Sequence, residues 1–287
     1  MLSYPWSVIG ALVYTYALIL LYALSGRFPR LRKLYDSRAG AICVGAVAVF
    51  AILFGLIPQD PAATGPLAAL GWTQMRRNPV FVALLFLLMT SMGLSAIAGL
   101  YGIRRQGLRV STLAHLACYL IFLGGLFGAG DKQTVFVTAV QDQPVSFGKD
   151  ADGAPAMLPF MLVLNDFTIE EYPAAPGPVD TLTLDDGRTI TMPPRVPKGY
   201  RSDVTILTRS GERQAAVAVN HPARVGAWRI YQYGYDRSQG AQSRISELLC
   251  VRDGWYPLIA AGLWLLLGSG VWMFFVSGGR RKKENGR

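Results

Sequence analysis

An apolar run from Val110 to Gly130 is the feature that most limits how this chain can fold. At about 21 residues, it is long enough to cross a bilayer as one helix. It contains a histidine, His115, which a helical rise of about 1.5 Å per residue places roughly 8 Å from the end next to Arg109. An ionisable side chain in such a helix is costly, so it faces protein, water or a cofactor. His115 is therefore a candidate functional residue.

Four further apolar runs are long enough to span a membrane. They predict helices at Pro5–Ser25, Ala39–Ile57, Val80–Tyr101 and Tyr256–Val276. With 52% hydrophobic and only 16% charged residues, a chain of 287 residues is too apolar for an ordinary soluble domain. The sequence thus predicts an integral membrane protein with five transmembrane helices. Residues 1–130 hold the first four, and residues 256–287 hold the fifth and a basic tail.

The positive charge of the chain is concentrated beside the apolar runs. The formal net charge is +10, and the basic residues cluster in the short segments 26–38, 102–110 and 280–287. Such clusters mark the cytoplasmic side of a membrane. This predicts the cytoplasmic (inner) membrane, with an extracytoplasmic N-terminus and a cytoplasmic C-terminus. Because the charges flank membrane spans, membrane lipid is the expected partner and nucleic acid is not.

Residues 131–255 have the pattern of an extracytoplasmic antiparallel β domain, sandwich-like or barrel-like. Short stretches rich in β-branched and aromatic residues alternate with Gly, Pro, Asp and Asn. Asp185-Asp186-Gly187 is a hairpin signal. The predicted strands are Gln133–Val140, Met157–Ile169, Val179–Leu184, Arg188–Met192, Val204–Thr208, Gln214–Val219, Trp228–Tyr235 and Arg244–Val251.

The pattern around His115 leaves two interpretations open. His115 is either a neutral histidine hydrogen-bonded to a neighbouring helix or an axial ligand to haem iron. Tyr119 and Phe122 follow at helical spacings and share its face, where Phe122 and small residues would border the macrocycle. An iron ligand must be the neutral imidazole, because the protonated ring has no free lone pair. No second histidine lies in any predicted span, so a bis-histidine site would need a partner chain.

Other candidate residues have simpler structural explanations. His221 lies in Asn-His-Pro, a turn sequence, and is expected to be an exposed turn residue. In the strand Trp228–Tyr235, alternation places Arg229, Tyr231, Tyr233 and Tyr235 on one face, which could hold a cofactor or peptide but is more typical of sheet packing. The sequence contains neither Cys-x-x-Cys nor zinc spacing nor a phosphate-binding glycine loop. No catalytic residue is predicted.

Several short motifs occur in a fixed order along residues 40–276. One span ends in Ile57-Pro58-Gln59, and another begins through Ala114-His115-Leu116 and ends in Leu-Gly-Gly-Leu-Phe-Gly. The β domain then contains Leu158-Pro159-Phe160, Asn165-Asp166-Phe167, Tyr200-Arg201-Ser202-Asp203-Val204, Val219-Asn220-His221-Pro222 and Ile230-Tyr231-Gln232. In this order, the motifs resemble the ResB (CcsB) family of system II cytochrome c biogenesis.

The resemblance implies a subunit that handles haem b for covalent attachment to apocytochrome c. Such a subunit works with a ResC/CcsA-type membrane protein, which supplies the other axial histidines and a tryptophan-rich haem-presenting loop. It would be half of a holocytochrome c synthase (haem lyase) rather than an enzyme alone. His115 matches the family histidine that binds haem iron in the membrane. This chain departs from the family in an additional N-terminal span and a rather short outer domain.

Two alternatives to haem handling follow from the same residues. In the first, the chain is a scaffold that braces a partner membrane enzyme and touches no cofactor, and His115 only bonds a neighbouring helix. In the second, weaker alternative, it is a quinone-linked redox subunit. That role predicts paired membrane histidines or redox cysteines, and the sequence has neither.

Overall fold

The computed structural model describes residues 3–60, 62–172, 180–183, 189–192, 197–236 and 243–284. These residues form two compact units. One comprises Met1–Asp131 with Gly254–Arg287 and is helical, and the other is the β unit Lys132–Asp253. The chain therefore leaves the helical unit once, forms the β unit and returns.

Five of the described helices are long and apolar enough to span a membrane. They are α1 (Trp6–Leu24), α2 (Ser37–Leu56), α4 (Pro79–Gln106), α5 (Val110–Phe127) and α6 (Tyr256–Glu284). The segment between α2 and α4 holds a short helix α3 (Pro66–Ala69) and a 3-10 turn (Trp72–Arg77). The five predicted membrane helices are confirmed. Large apolar side chains such as Trp264 and Phe274 are exposed on the helix surfaces, as lipid-facing positions require.

Glycines let the membrane helices pack closely. A Cβ at Gly99 of α4 would overlap the side chain of Thr112 in α5, and a Cβ at Gly124 of α5 would overlap Ile259 of α6. Small residues at such positions allow helix backbones to approach, and the van der Waals packing that results favours helix association in lipid. The buried residues of the helical unit are Ala11, Leu18, Met89, Leu94, Tyr119, Leu123 and Phe127.

The β unit is an eight-stranded antiparallel sheet curled into a near-barrel, which confirms the predicted fold class. The strands are β1 (Gln133–Val140), β2 (Pro144–Lys149), β3 (Pro155–Glu171), β6 (Pro197–Thr208), β7 (Gly211–Ala218), β8 (Ala223–Val225), β9 (Trp228–Tyr235) and β10 (Ile245–Arg252). Their order across the sheet is β7-β6-β3-β2-β1-β10-β9-β8. The edge strands β7 and β8 are consecutive in the chain, and Ala218, the last residue of β7, forms an isolated bridge with His221 in the turn that leads to β8.

A separate hairpin lies outside this sheet. Its strands β4 (Asp180–Thr183) and β5 (Thr189–Met192) pair antiparallel, with Thr183 opposite Thr189. The predicted hairpin turn Asp185-Asp186-Gly187 lies outside the described residues. The pairing of the two strands agrees with a hairpin at this place in the chain.

The interior of the near-barrel is apolar and contains one small polar cluster. Its buried side chains are Val135, Val137, Ala139, Leu158, Phe160, Leu162, Leu164, Phe167, Val204, Ile206, Val217, Ala223, Trp228, Ile230, Leu248 and Cys250. The buried hydroxyls of Ser202 and Ser246 share a hydrogen bond of 2.7 Å, and the Gln232 side chain bonds to both. Because each buried polar group has a partner, the cluster avoids the cost of an unsatisfied donor or acceptor.

Candidate functional site

His115 lies in the second turn of α5, where its side chain is partly buried. The helix begins at Val110, directly after Arg109, whose backbone is extended. One turn before His115, Thr112 packs against Gly99 and fixes the position of α5 against α4. The close approach of these two helices therefore determines where the imidazole lies.

His115 borders a groove of about 530 Å³ formed within the helical unit. The groove has the size of a small-molecule or cofactor site, roughly 300–1,000 Å³. Most of its lining is small or hydroxyl-bearing. The lining residues are Tyr35, Asp36, Ser37, Gly40, Ala41, Val44, Ser91, Met92, Ser95, Ala98, Gly99, Gly102, Gly107, Arg109, Ser111, Thr112 and His115.

The His115 imidazole makes no hydrogen bond to any residue that the structure describes, so its ring nitrogens are free to meet a ligand in the groove. Arg109 lines the same groove and forms no ion pair within the described part of the chain. The groove thus combines a nitrogen lone pair and the guanidinium of Arg109 with the carboxylate of Asp36. The imidazole can ligate a metal, and the guanidinium can bind an anionic group of a ligand.

The residues predicted beside His115 lie elsewhere. Tyr119 is one turn further along α5, where α1 covers the face, and its hydroxyl shares a 2.7 Å hydrogen bond with Thr15. Phe122 packs partly buried against the core of the helical unit. Neither lines the groove. The structure therefore groups His115 with small residues of α2 and α4 rather than with Tyr119 and Phe122.

One face of α4 carries small residues four apart, Ser91, Ser95 and Gly99, a spacing that allows close helix packing. Gly99 packs closely against Thr112, and all three residues also line the groove. The groove could not be predicted from the sequence, because its opposite wall comes from α2 and the segment before it. Arg109 was likewise noted only as part of a basic loop.

In the β unit, His221 and the tyrosine-rich strand have structural roles. His221 is exposed and exchanges backbone hydrogen bonds with Ala218, in a turn where Asn220 adopts a positive φ of 63°. The prediction that Tyr231, Tyr233 and Tyr235 share one face is wrong. A β-bulge between Glu247 and Leu248 shifts the register at this point.

The bulge sends two tyrosines to opposite faces. Tyr233 is 56% exposed and packs edge-on against Phe136, with ring centroids 5.1 Å apart. Tyr235 instead packs into the interior, 5.3 Å from the ring centroid of Phe167. Strand β9 therefore presents no continuous tyrosine face.

Residues of the motifs that resemble those of ResB proteins brace loops or strands. The Gln59 side chain donates to the carbonyl oxygens of Ile57 and Trp72, and accepts from the amide of Met75. Asn165 bonds to Thr205 across β3 and β6, 2.9 Å apart. These contacts explain such polar residues without assigning them to a binding site.

The Asp131 carboxylate, beyond the end of α5, accepts three hydrogen bonds. The donors are the backbone N–H of Tyr4, the Ser7 hydroxyl at 2.6 Å and the Trp255 indole N–H at 2.6 Å. Desolvation raises the pKa of this carboxyl group, but the three hydrogen bonds together outweigh it and hold the pKa below its ordinary value of 3.8. Asp131 therefore ties the beginnings of α1 and α6 to the end of α5.

Within the described residues, no three His, Cys, Asp or Glu side chains come together as a metal-ion site. All three cysteines, Cys43, Cys118 and Cys250, are free thiols. Among these residues His115 therefore offers a single imidazole to a ligand, and the described side chains form no multidentate cage around it.

The fold and the groove define an integral membrane protein with five spanning helices and a β near-barrel inserted before the last one. The sequence profile of the ResB-like family matches residues 108–254, about half of the chain. The chain belongs to the ResB-like family. The match begins just before α5 and ends just before α6, so it includes His115 and the whole β unit.

Comparison with individual proteins adds little to this assignment. No curated protein matches the sequence. Among solved structures, the chain is similar to "Cytochrome c Heme Lyase CcmF", with a TM-score of 0.37 and 10% identity. The match covers 93% of this chain and 45% of that chain, so this chain spans less than half the length of that protein.

Proposed function

We propose that this protein holds haem b beside His115 and delivers it for covalent attachment to apocytochrome c. Membership of the ResB-like family supports a role in cytochrome c biogenesis. The observation that carries the haem assignment is the groove at His115, where an imidazole without a hydrogen bond to the described residues meets a cavity of about 530 Å³. A histidine that only braced a neighbouring helix would be bonded to it.

The residues of the groove suit haem in three respects. His115 provides a nitrogen lone pair for iron, small residues such as Gly40 and Ser95 leave room for a flat macrocycle, and Arg109 provides a cation for a propionate. When bound, haem supplies the vinyl groups that are joined to apocytochrome cysteines. Tyr119 holds α5 against α1 through Thr15 and so helps to position His115 without touching the macrocycle.

The proposed orientation gives the groove access from the cytoplasmic side. The groove reaches Tyr35, Asp36 and Arg109, which belong to the two basic loops 26–38 and 102–110. By the positive-inside rule these loops are cytoplasmic, so the N-terminus and the β unit are extracytoplasmic and the C-terminal tail is cytoplasmic. Haem would thus be received from the inner side of the cytoplasmic membrane.

A membrane partner of the ResC/CcsA type completes the proposed site. His115 is the only histidine in the spanning helices, since His221 lies in the β unit. The partner would supply further axial ligands. We assign this chain to one half of a holocytochrome c synthase, system II, and attribute no bond-forming step to its own side chains.

The two histidines provide a matched test. The protein is purified together with its membrane partner, and the Soret absorbance per complex is measured for His115→Ala and His221→Ala. Loss of the Soret band in the first variant alone, with the complex still assembled, is expected. Equal haem content in both variants would exclude His115 as the ligand and favour the scaffold role. Imidazole added to His115→Gly should restore part of the band, because it replaces the missing ring.

A second test concerns the groove itself. Ser95→Leu places a larger side chain in the groove, whereas Ser95→Ala leaves it open. The leucine variant should lose haem while its helices melt at an unchanged temperature, and the alanine variant should keep haem. Normal haem content in the leucine variant would place the cofactor elsewhere.

A further inference from the structure

The gap between the two edge strands of the near-barrel, β7 and β8, is called the seam, and it is open at one end. The two strands are joined at Ala218 and His221, which exchange both backbone hydrogen bonds. At the other end of β7, a cavity of about 840 Å³ lies between Gly211–Arg213 and the β8–β9 turn Val225–Trp228. The sheet is therefore not fully closed by its own strands.

The edge of β7 carries unpaired backbone groups along this opening. In an antiparallel ladder, successive residues point their N–H and C=O groups alternately to the two sides. Ala218 points to the seam, because it bonds His221, so Ala216, Gln214 and Glu212 point there as well. Within the described residues these three have no backbone hydrogen-bond partner on that side. Such an edge is a template for another strand.

The cavity next to this edge has an apolar floor. Phe160, Ile206 and Trp228 line it, and all three are buried parts of the barrel core. Phe160 and Trp228 stack edge to face with ring centroids 6.0 Å apart. An apolar side chain from an added strand could therefore reach the core through the open seam.

The rim of the cavity is positively charged. Arg209, Arg213 and Arg252 line it together with one acidic residue, Glu212. None of the three arginines forms an ion pair with a residue that the structure describes. Arg213 shares the inward side of β7 with Ala215 and Val217, so its side chain rises from the inner face at the open end. The rim is complementary to carboxylates.

We infer that the β7 edge binds an extended segment of a partner polypeptide by strand addition. The segment pairs with the seam-facing groups of Glu212, Gln214 and Ala216. It places an apolar side chain over Phe160 and Trp228 and a carboxylate among the arginines. Backbone pairing gives affinity in this mode of recognition, and the pocket and charges give specificity. This inference goes beyond the haem site and does not depend on it.

A substitution at Gln214 can remove one backbone hydrogen bond to the added strand without changing the pocket or its charges. Its N–H faces the seam and not β6, so proline at this position leaves the β6–β7 ladder intact, as is normal on an edge strand. Gln214→Ala keeps the N–H and is the matched control. Both variants should melt like the native protein, and only Gln214→Pro should lose peptide binding.

The probe is a fluorescein-labelled peptide of about eight residues, roughly the length of β7, that alternates valine and threonine and has glutamate near each end. Its anisotropy is followed with the full chain in detergent micelles. Two further peptides carry lysine in place of glutamate, or N-methyl groups on alternate amides. The glutamate peptide should bind, the lysine peptide about ten-fold more weakly, and the N-methylated peptide not at all.

Charge reversal at the rim gives an independent test. Arg213→Glu should exchange the preference between the glutamate and lysine peptides, whereas Arg244→Glu should not. Arg244 is exposed and precedes β10, and Arg252, the rim residue, ends the same strand. Binding that survives both N-methylation and Gln214→Pro would show attraction by charge only and overturn strand addition. Absence of binding by all three peptides would also overturn it.

Discussion

The indole nitrogen of Trp255 donates to a carboxylate oxygen of Asp131 over 2.6 Å, which ties the residue before α6 to the residue that follows the α5 segment. The same carboxylate accepts from Ser7 at the beginning of α1. One carboxylate thus connects three spanning helices. Because a carboxylate accepts stronger hydrogen bonds than a neutral group does, its negative charge should stabilise the helical unit.

Replacing Asp131 by Asn should destabilise the helical unit by on the order of 1 kcal/mol near neutral pH. The Asp131 pKa is held below its ordinary value of 3.8, so this stabilisation is present above that value. It is lost as the pH falls through the lowered, folded-state value. The difference in melting temperature between native and Asp131→Asn protein should therefore shrink from about pH 7 to about pH 3. Melting followed by circular dichroism in micelles measures it, and a constant difference would contradict this role.

Gly99→Ala should loosen α4 from α5. Its new Cβ would overlap Thr112, and overpacking of this kind costs about 1–3 kcal/mol. Gly45→Ala is the control, because nothing lies within 4 Å of the position of its Cβ. That change should be neutral or stabilise α2 by up to about 1 kcal/mol. Unfolding by sodium dodecyl sulfate in mixed micelles compares the two, and equal effects would show that the helices are not closely packed at Gly99.

Cys250 should resist thiol reagents until the barrel opens. Its side chain is 0% exposed, and burial raises its pKa to about 12. In a protein with Cys43 and Cys118 replaced by alanine, maleimide labelling should be far slower than that of an exposed thiol from about pH 7 to about pH 9. A surface thiol introduced by Tyr233→Cys, in a protein that also carries Cys250→Ala, should label quickly and accelerate over that range. Rapid labelling of Cys250 in native protein would contradict its burial.

The same thiol makes the barrel sensitive to alkali. Folded protein keeps the Cys250 proton at pH values where an unfolded thiol, of ordinary pKa 9.0, has lost it. Stability should therefore fall as the pH rises from about 9 toward 12. Cys250→Ala should lack this component of the alkaline loss.

Tyr235→Ala should cost far more stability than Tyr233→Ala. Tyr235 contacts the rings of Phe167 and Tyr200, each at a centroid distance of 5.3 Å, and loss of a packed aromatic side chain costs about 3–5 kcal/mol. Tyr233 is mostly exposed, so its removal should cost less than about 1 kcal/mol. Thermal melting of the two variants distinguishes them. Similar costs would mean that the bulge does not send these rings to opposite faces.

The membrane helices could be predicted from the sequence because their signal is local. A bilayer requires about 20 apolar residues in a row, and each of the five runs meets that requirement by itself. Most strands were also recognisable by alternation. Strand β2 was missed because Pro144 and Gly148 interrupt it, and β8 was missed because it has only three residues. The bulge in β9 breaks the alternation of side chains between the two faces. Gly234 inside the strand is a sequence signal for such a bulge.

The site was predictable only in part, because it depends on tertiary packing. His115 can be identified as a candidate from the sequence of α5 alone, since ionisable residues are rare in spanning helices. Its neighbours Gly40 and Asp36 come from another part of the chain, and helical spacing on α5 says nothing about them. Tyr119 has the right spacing from His115, but α1 covers it. The seam of the near-barrel could likewise not be predicted from the sequence, because it depends on which strands lie at the edges of the sheet.

The first and last strands of the β unit are neighbours in the sheet, with Gln133 opposite Arg252. The chain therefore enters and leaves the β unit at adjacent points, and α5, which precedes the unit, packs against α6, which follows it. Lys132–Asp253 is thus an insertion between two helices that contact each other. Because its two ends lie close together in its own sheet, the β unit meets the usual geometric requirement for a domain inserted into a host fold.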